Sequence, residues 1–168
     1  MQKHQLSINS KNILPIIKKW LYSDHDIFLR ELVANATDAI SKLKLLQAQG
    51  VVAATTAPWR IDITTDQAKK TLAIADNGIG MNAAEVEKYI AQIAFSGAED
   101  FLAKYKTENE QDQIIGHFGL GFYSAYMVAD KVTIDTLSFE KDSEGVFWEC
   151  DGSAEYSLST THNKEPGT

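Results

Sequence analysis

The sequence predicts an α+β fold, a two-layer sandwich of a mixed, mainly antiparallel sheet covered by helices, formed as one domain over residues 1–168. Three observations carry this expectation: a long amphipathic helical pattern in the first third, period-two alternation of apolar residues in the middle and again near the end, and shorter helical patterns between them. A chain of 168 residues with 44% hydrophobic content can bury one sizeable core.

In chain order, residues 5–8 form a candidate edge strand. Polar Ser10-Lys11-Asn12 then precedes Ile13, Ile16, Ile17, Trp20 and Leu21, whose three-and-four spacing makes one apolar face. Ser23 with Asp26 resembles a capping pair and opens a long helix from about Asp26 that Gly50 stops. Trp59, Ile61 and Ile63 alternate with polar residues, as do Leu72 and Ile74 after the turn-like stretch 66–70, so an antiparallel hairpin is expected. Asp76-Asn77-Gly78-Ile79-Gly80 ends it. Asn82 with Glu85 caps a helix expected to reach Ile93, and a second helical pattern follows over 99–105. Gly116-His117-Phe118-Gly119-Leu120-Gly121 interrupts regular structure, a short helix is completed over 125–128, and strands are expected at 131–137, 146–150 and 156–159. The sequence contains no internal repeat and no low-complexity tract.

The charge balance narrows the function classes. The chain has 23 acidic against 16 basic residues and a formal net charge of −7, which opposes attraction to a phosphate backbone and disfavours nucleic acid as a partner. Cys150 is the only cysteine, so no intrachain disulfide framework exists and a reducing, cytoplasmic compartment is expected. The first apolar stretch, residues 13–17, is broken by Pro15 and is far too short for a signal or membrane segment, so no membrane partner is expected.

At 100° per residue, Glu31, Asn35, Asp38 and Lys42 fall on one narrow stripe of the long helix. Phe28, Leu32, Ala36, Ala39 and Leu43 form the adjacent apolar flank, with Arg30, Thr37, Ser41 and Lys44 opposite. The stripe thus borders core and solvent, where a carboxylate can face a cleft. The same spacing equally suits a solvated face of helix-supporting charge pairs.

Asp76 follows an apolar strand and precedes Gly78 and Gly80, which permit close approach of a ligand to the backbone. A carboxylate acceptor there suits the exocyclic amine of adenine, although Asp-Asn-Gly also makes a simple hairpin turn. Gly116, Gly119 and Gly121 surround Phe118 and Phe122 and lead toward a helix whose first amides are free for phosphate oxygens. The order is neither the dinucleotide fingerprint nor a P-loop, since no Lys-Ser or Lys-Thr follows. A purely structural glycine turn is the alternative.

Taken together, the run Phe28-Leu29-Arg30-Glu31-Leu32-Val33-Ala34-Asn35-Ala36-Thr37-Asp38-Ala39, the turn Asp76-Asn77-Gly78-Ile79-Gly80-Met81 and the loop Gly116-His117-Phe118-Gly119-Leu120-Gly121-Phe122-Tyr123-Ser124 resemble the N-terminal ATP-binding domain of the ninety-kilodalton heat-shock chaperones, with the bacterial HtpG branch closest. The likeness runs over about residues 8–168, and implies a Bergerat-type ATP-binding fold and a fragment of a longer multidomain chaperone. It implies a weak ATPase that binds ATP or ADP with Mg²⁺ to drive lid closure and a stress-response chaperone cycle.

By the same resemblance, Glu31 is the general base and Asn35 the Mg²⁺ ligand. Asp38 borders ribose and phosphate, Asp76 reads adenine, Gly80 and Met81 line the base pocket, and Thr168 joins the adenine water network. Gly116, Phe118, Gly119, Gly121 and Phe122 belong to the phosphate loop, and residues 96–115 to the lid. Implied partners are unfolded or partly folded clients, ansamycin or resorcinol inhibitors, and a second copy held through a C-terminal domain. Phe95 stands where many members carry a lysine, Tyr89 where asparagine is frequent and His117 where glutamine is usual. The superfamily also contains gyrase-type topoisomerases, MutL and histidine kinases, and a non-catalytic nucleotide sensor would share the pocket; the acidic balance and the Phe-Leu-Arg-Glu-Leu run favour the chaperone.

Overall fold

The computed structural model describes residues 27–91, 121–153, 155–163 and 165–168. The expected strand at 5–8, the helical patterns at 13–21 and 99–105, the lid, Phe95 and residues 116–120 lie outside these.

The long amphipathic pattern forms helix α1, Ile27–Ala48. Its stop is as expected: Gly50 takes a left-handed φ of 72°, and the amides of Gly50 and Val51 cap Gln47 and Leu46 carbonyls in the manner of a glycine C-cap. The hairpin follows as β1, Ile61–Asp66, and β2, Thr71–Asp76, paired antiparallel from Ile61 opposite Asp76 to Asp66 opposite Thr71. Asp66 closes the turn by accepting the Lys69 amide. Asn77 pins the approach to β1 from the side, accepting the Arg60 amide and donating to the Pro58 carbonyl.

Helix α2 spans Ala83–Tyr89 and begins with the expected capping box between Asn82 and Glu85. It ends earlier than the predicted Ile93. The amides of Ile90 and Ala91 both converge on the Val86 carbonyl, so Ala91 leaves the i to i−4 ladder, and the Ile90 carbonyl accepts the Tyr123 hydroxyl. A 3-10 helix occupies Gly121–Met127, so the helix expected to be completed over 125–128 is wound tighter than an α-helix. The Ser124 hydroxyl donates to the Gly121 carbonyl at 2.5 Å, a local bond of the kind that competes with α-helical pairing.

Strands β3 (Val132–Thr136), β4 (Gly145–Cys150) and β5 (Ser157–Thr161) form an antiparallel meander in that order, close to the predicted boundaries. Every ladder among the described residues is antiparallel. Alternate residues Ile134, Val146, Trp148 and Cys150 point to one face and meet Val86, Ile90, Tyr123 and Tyr126 in the main core. Phe122 joins through edge-to-face contacts with Tyr123, Tyr126 and Trp148. A smaller cluster around Leu46 gathers Leu45, Val52, Ile79 and Phe139 under the end of α1.

The hairpin and the meander are separate ladders joined by two residues. Asp76 exchanges both backbone hydrogen bonds with Thr168, and Leu137 exchanges both with Gly167. These residues therefore lie between the end of β2 and the end of β3. No helix among the described residues is long and apolar enough to cross a membrane.

Candidate nucleotide site

The turn after β2 is locked to α1. The Ile79 amide donates to the Ala39 carbonyl at 3.0 Å and the Ile79 carbonyl accepts Phe139 N–H at 2.9 Å. Gly78 lies so close to the Ala39–Ile40 backbone that a Cβ would fall 2.5 Å from the Ala39 carbonyl carbon. Gly80 has a φ of 60° and approaches the Leu137 carbonyl so tightly that a Cβ would sit 1.8 Å from its oxygen. Any L side chain there would meet both backbone strain and collision. The sequence thus brings the Asp-Asn-Gly-Ile-Gly turn to rest at the meeting point of α1, β2 and β3.

Asp76 stands at that point. One carboxylate oxygen accepts the Gly78 amide at 2.8 Å, yet desolvation outweighs this bond and pushes its pKa up to about 6. Direct partners in an antiparallel ladder share a face, so Thr168 presents its side chain on the same side as Asp76. Thr136 comes next across the sheet. It is fully buried, and its Oγ1 lies 2.8 Å from Thr168 Oγ1, 2.9 Å from the Gly167 carbonyl and 3.0 Å from the donating Met81 amide. Asp76, Thr168 and Thr136 form a polar row on one face, with Gly80 and Met81 beside it.

On α1 the predicted stripe is unevenly exposed. Asn35 is exposed and Glu31 half-buried, while Asp38 is buried at 5% exposure. Burial pushes the Lys42 amine below its usual range, opposed by the charges of Asp38 and Glu85. One oxygen of Glu31 makes a 3.5 Å surface contact with Arg30; the other lies where a Cβ on Gly121 would come within 2.8 Å of it. The structure therefore brings Glu31 against the last glycine of the predicted phosphate loop. Gly116, Phe118 and Gly119 lie outside the described residues. The Phe122 ring packs with the core aromatics, so only its backbone remains for a ligand. Tyr89 lies under the Lys88 ammonium at 5.3 Å.

Sequence reasoning misses Thr136 and Asn77. A signal for Thr136 exists: in Val132, Ile134 and Thr136 it holds the third inward position of a strand, where a hydroxyl must find partners. Among the described residues no cluster of three or more His, Cys, Asp or Glu could hold a metal ion by itself. A groove of about 560 Å³ between Asn82, Ala83, Gly145, Val146, Leu158 and Thr160 contains none of the candidate residues.

The family model described as histidine kinase-, DNA gyrase B-, and HSP90-like ATPase matches residues 22–165. The chain is 50% identical over 167 residues to the chaperone protein HtpG of Porphyromonas gingivalis, covering 99% of this chain and 24% of that protein. It is 50% identical over 168 residues to the chaperone protein HtpG of Bacteroides thetaiotaomicron, covering 100% and 24%. It is also 37% identical over 169 residues to the mitochondrial TNF receptor-associated protein 1 homolog of Dictyostelium discoideum, covering 99% and 24%. The chain spans about a quarter of the length of these curated relatives.

Proposed function

The chain belongs to the histidine kinase-, DNA gyrase B-, and HSP90-like ATPase family, and we propose that it is the nucleotide-driven module of an ATP-dependent chaperone. The observation that carries this reading is the pair of side chains on one face at the junction of the two ladders: Asp76 and Thr168, backbone-paired, beside Gly80 and the Met81 amide. That arrangement is an acceptor-rich pocket wall with side-chain-free backbone at its edge, which suits the amine edge of adenine. Identity of 50% to proteins named chaperone protein HtpG supports the chaperone role over the DNA-transaction and phosphorelay branches.

In this reading Asp76 accepts the adenine amine, and the Thr168 hydroxyl holds the adjoining water or donor. Asp38 borders the ribose, while residues 116–122 offer main-chain amides to the terminal phosphates. Glu31 accepts the proton of the attacking water; its place against Gly121 is what supports that role, and such a base contributes on the order of 10²- to 10⁴-fold in rate. Asn35, four residues along the same face, would hold Mg²⁺ together with the phosphates. Bound there, the ion would supply charge neutralisation to the phosphates. The longer protein would act in the cytoplasm, take unfolded clients and dimerise through segments beyond this domain, and ansamycin or resorcinol compounds would compete for the base pocket.

Calorimetric titration with ATP, ADP and AMP, with and without Mg²⁺, tests the reading. ADP binding that is strengthened by Mg²⁺ and largely lost in Asp76→Asn is expected, because one acceptor oxygen becomes a donor. Equal ADP affinity in the wild type and Asp76→Asn would remove adenine from this site.

A further inference from the structure

We propose that Thr136 fixes the direction of the Thr168 hydroxyl proton and so makes the pocket select ligands that present a hydrogen-bond donor, not an acceptor, beside Asp76. The inference rests on the nucleotide site proposed above and deepens it, assigning base selectivity to a residue that cannot touch the base.

Thr136 Oγ1 has one proton and three neighbours at hydrogen-bond distance. The Met81 amide is a donor only, so Thr136 accepts from it. The Gly167 carbonyl is an acceptor only, and it lies 2.9 Å away. With no proton between them, two oxygens at that distance would repel, so the Thr136 proton must point to Gly167. The third contact, Thr168 Oγ1 at 2.8 Å, then has one solution: Thr168 donates and Thr136 accepts. All three contacts become hydrogen bonds, as a fully buried hydroxyl requires.

The consequence reaches the pocket. Thr168 spends its only proton on Thr136, and what it turns to a ligand is lone pairs. Asp76, on the same face, offers a carboxylate oxygen not engaged by the Gly78 amide. Two acceptors side by side complement an amino group or a water bridging to one. They repel a carbonyl. A 6-aminopurine therefore fits and a 6-oxopurine does not, and part of that discrimination originates in the wall behind Thr168. Thr136 is a positioning residue acting through Thr168.

The test compares ADP and IDP, which differ at the 6-position, by calorimetry with wild type, Thr136→Val and Thr136→Ser, alongside thermal unfolding. In Thr136→Val the Thr168 hydroxyl is released and can turn to donate to a 6-oxo group. The ADP-over-IDP preference should then shrink by about tenfold, the scale of one hydrogen bond to an uncharged partner, chiefly through a gain in IDP relative to ADP. Thr136→Ser keeps the oxygen and should keep the preference. Equal weakening of both nucleotides in Thr136→Val would reduce Thr136 to a structural part and overturn the proposal. A second measurement needs no ligand and no variant: in the ligand-free wild type, NMR should find the Thr168 hydroxyl proton in slow exchange and close to Thr136. A rapidly exchanging Thr168 hydroxyl would overturn the proposal even if ADP binds as expected. Failure of ADP to bind the wild type would instead sink the nucleotide reading, leaving the NMR result to decide the Thr136 arrangement.

Discussion

At Asp76 two requirements oppose each other. Folding removes the carboxylate from water, and this desolvation lifts its pKa from 3.8 to about 6 against the pull of the Gly78 amide. Since the folded value is raised, the folded state binds the proton more tightly. The resulting stabilisation is complete below about pH 3.8 and is lost as pH rises through about 6. A ligand amine needs the opposite, ionised form. Affinity for adenosine, which carries no phosphate to titrate in this range, should fall below pH 6 by up to about tenfold per unit, and binding near pH 6 should release a proton detectable in buffers of different ionisation enthalpy. A flat profile between pH 5 and 7 would show that Asp76 does not meet the base. Glu31 provides the second test at this scale. A methyl group at Gly121 would press on the free end of its side chain, which can move aside at little cost in stability. Gly121→Ala should therefore leave unfolding nearly unchanged while lowering turnover of the full-length protein at least tenfold, on the scale of displacing a general base; loss of stability with intact turnover would place Glu31 outside the mechanism.

Elements deliver these side chains, and their legibility in sequence differed for physical reasons. Helix α1 is plain because its apolar period, its stripe and its glycine stop all coincide. The hairpin is plain because alternation and turn residues agree, even though Ile63 and Leu72 near its turn are 50% and 41% exposed. The end of α2 is hidden, because the tertiary bond from Tyr123 to the Ile90 carbonyl has no local signature. Thr136 is legible only as an inward hydroxyl of its strand; its partners come from its register against Val146 and from the approach of Gly167 and Thr168, which no local pattern displays. Glu31 and Asp76 stand out as residues, but their common setting depends on Gly78 lying against α1. The start of α2 offers a prediction at this scale. Asn82 accepts the Glu85 amide and Glu85 accepts the Asn82 amide, and the helix they cap supplies Val86 and Ile90 to the main core. Asn82→Ala should lower stability by about 1 kcal/mol, measured by chemical denaturation, with an unchanged denaturant slope. No loss would mean that core packing alone holds α2.

At the scale of the whole molecule, two residues link the hairpin ladder to the end of the meander by backbone pairing. Gly167 has a φ of 138°, and a Cβ there would fall 2.1 Å from the Asp76 carbonyl oxygen. Gly167→Ala should cost on the order of 3 kcal/mol, combining a conformation that L residues resist with direct overlap. It should also weaken ADP binding although residue 167 contributes no side chain to the pocket. Full ADP affinity in a destabilised Gly167→Ala protein would show that the pocket does not depend on this junction. The four main-chain bonds from Gly167 and Thr168 to Leu137 and Asp76 have a thermodynamic corollary. They make ligand competence a population: only molecules with these bonds closed hold Asp76, Thr168 and Thr136 in one row, so the observed dissociation constant is the intrinsic one divided by the closed fraction. Were only about one molecule in ten closed, affinity would read about tenfold weaker with every contact intact. A bound nucleotide would then slow amide exchange at Leu137, a residue it never touches, by the factor through which it draws the ensemble to the closed state.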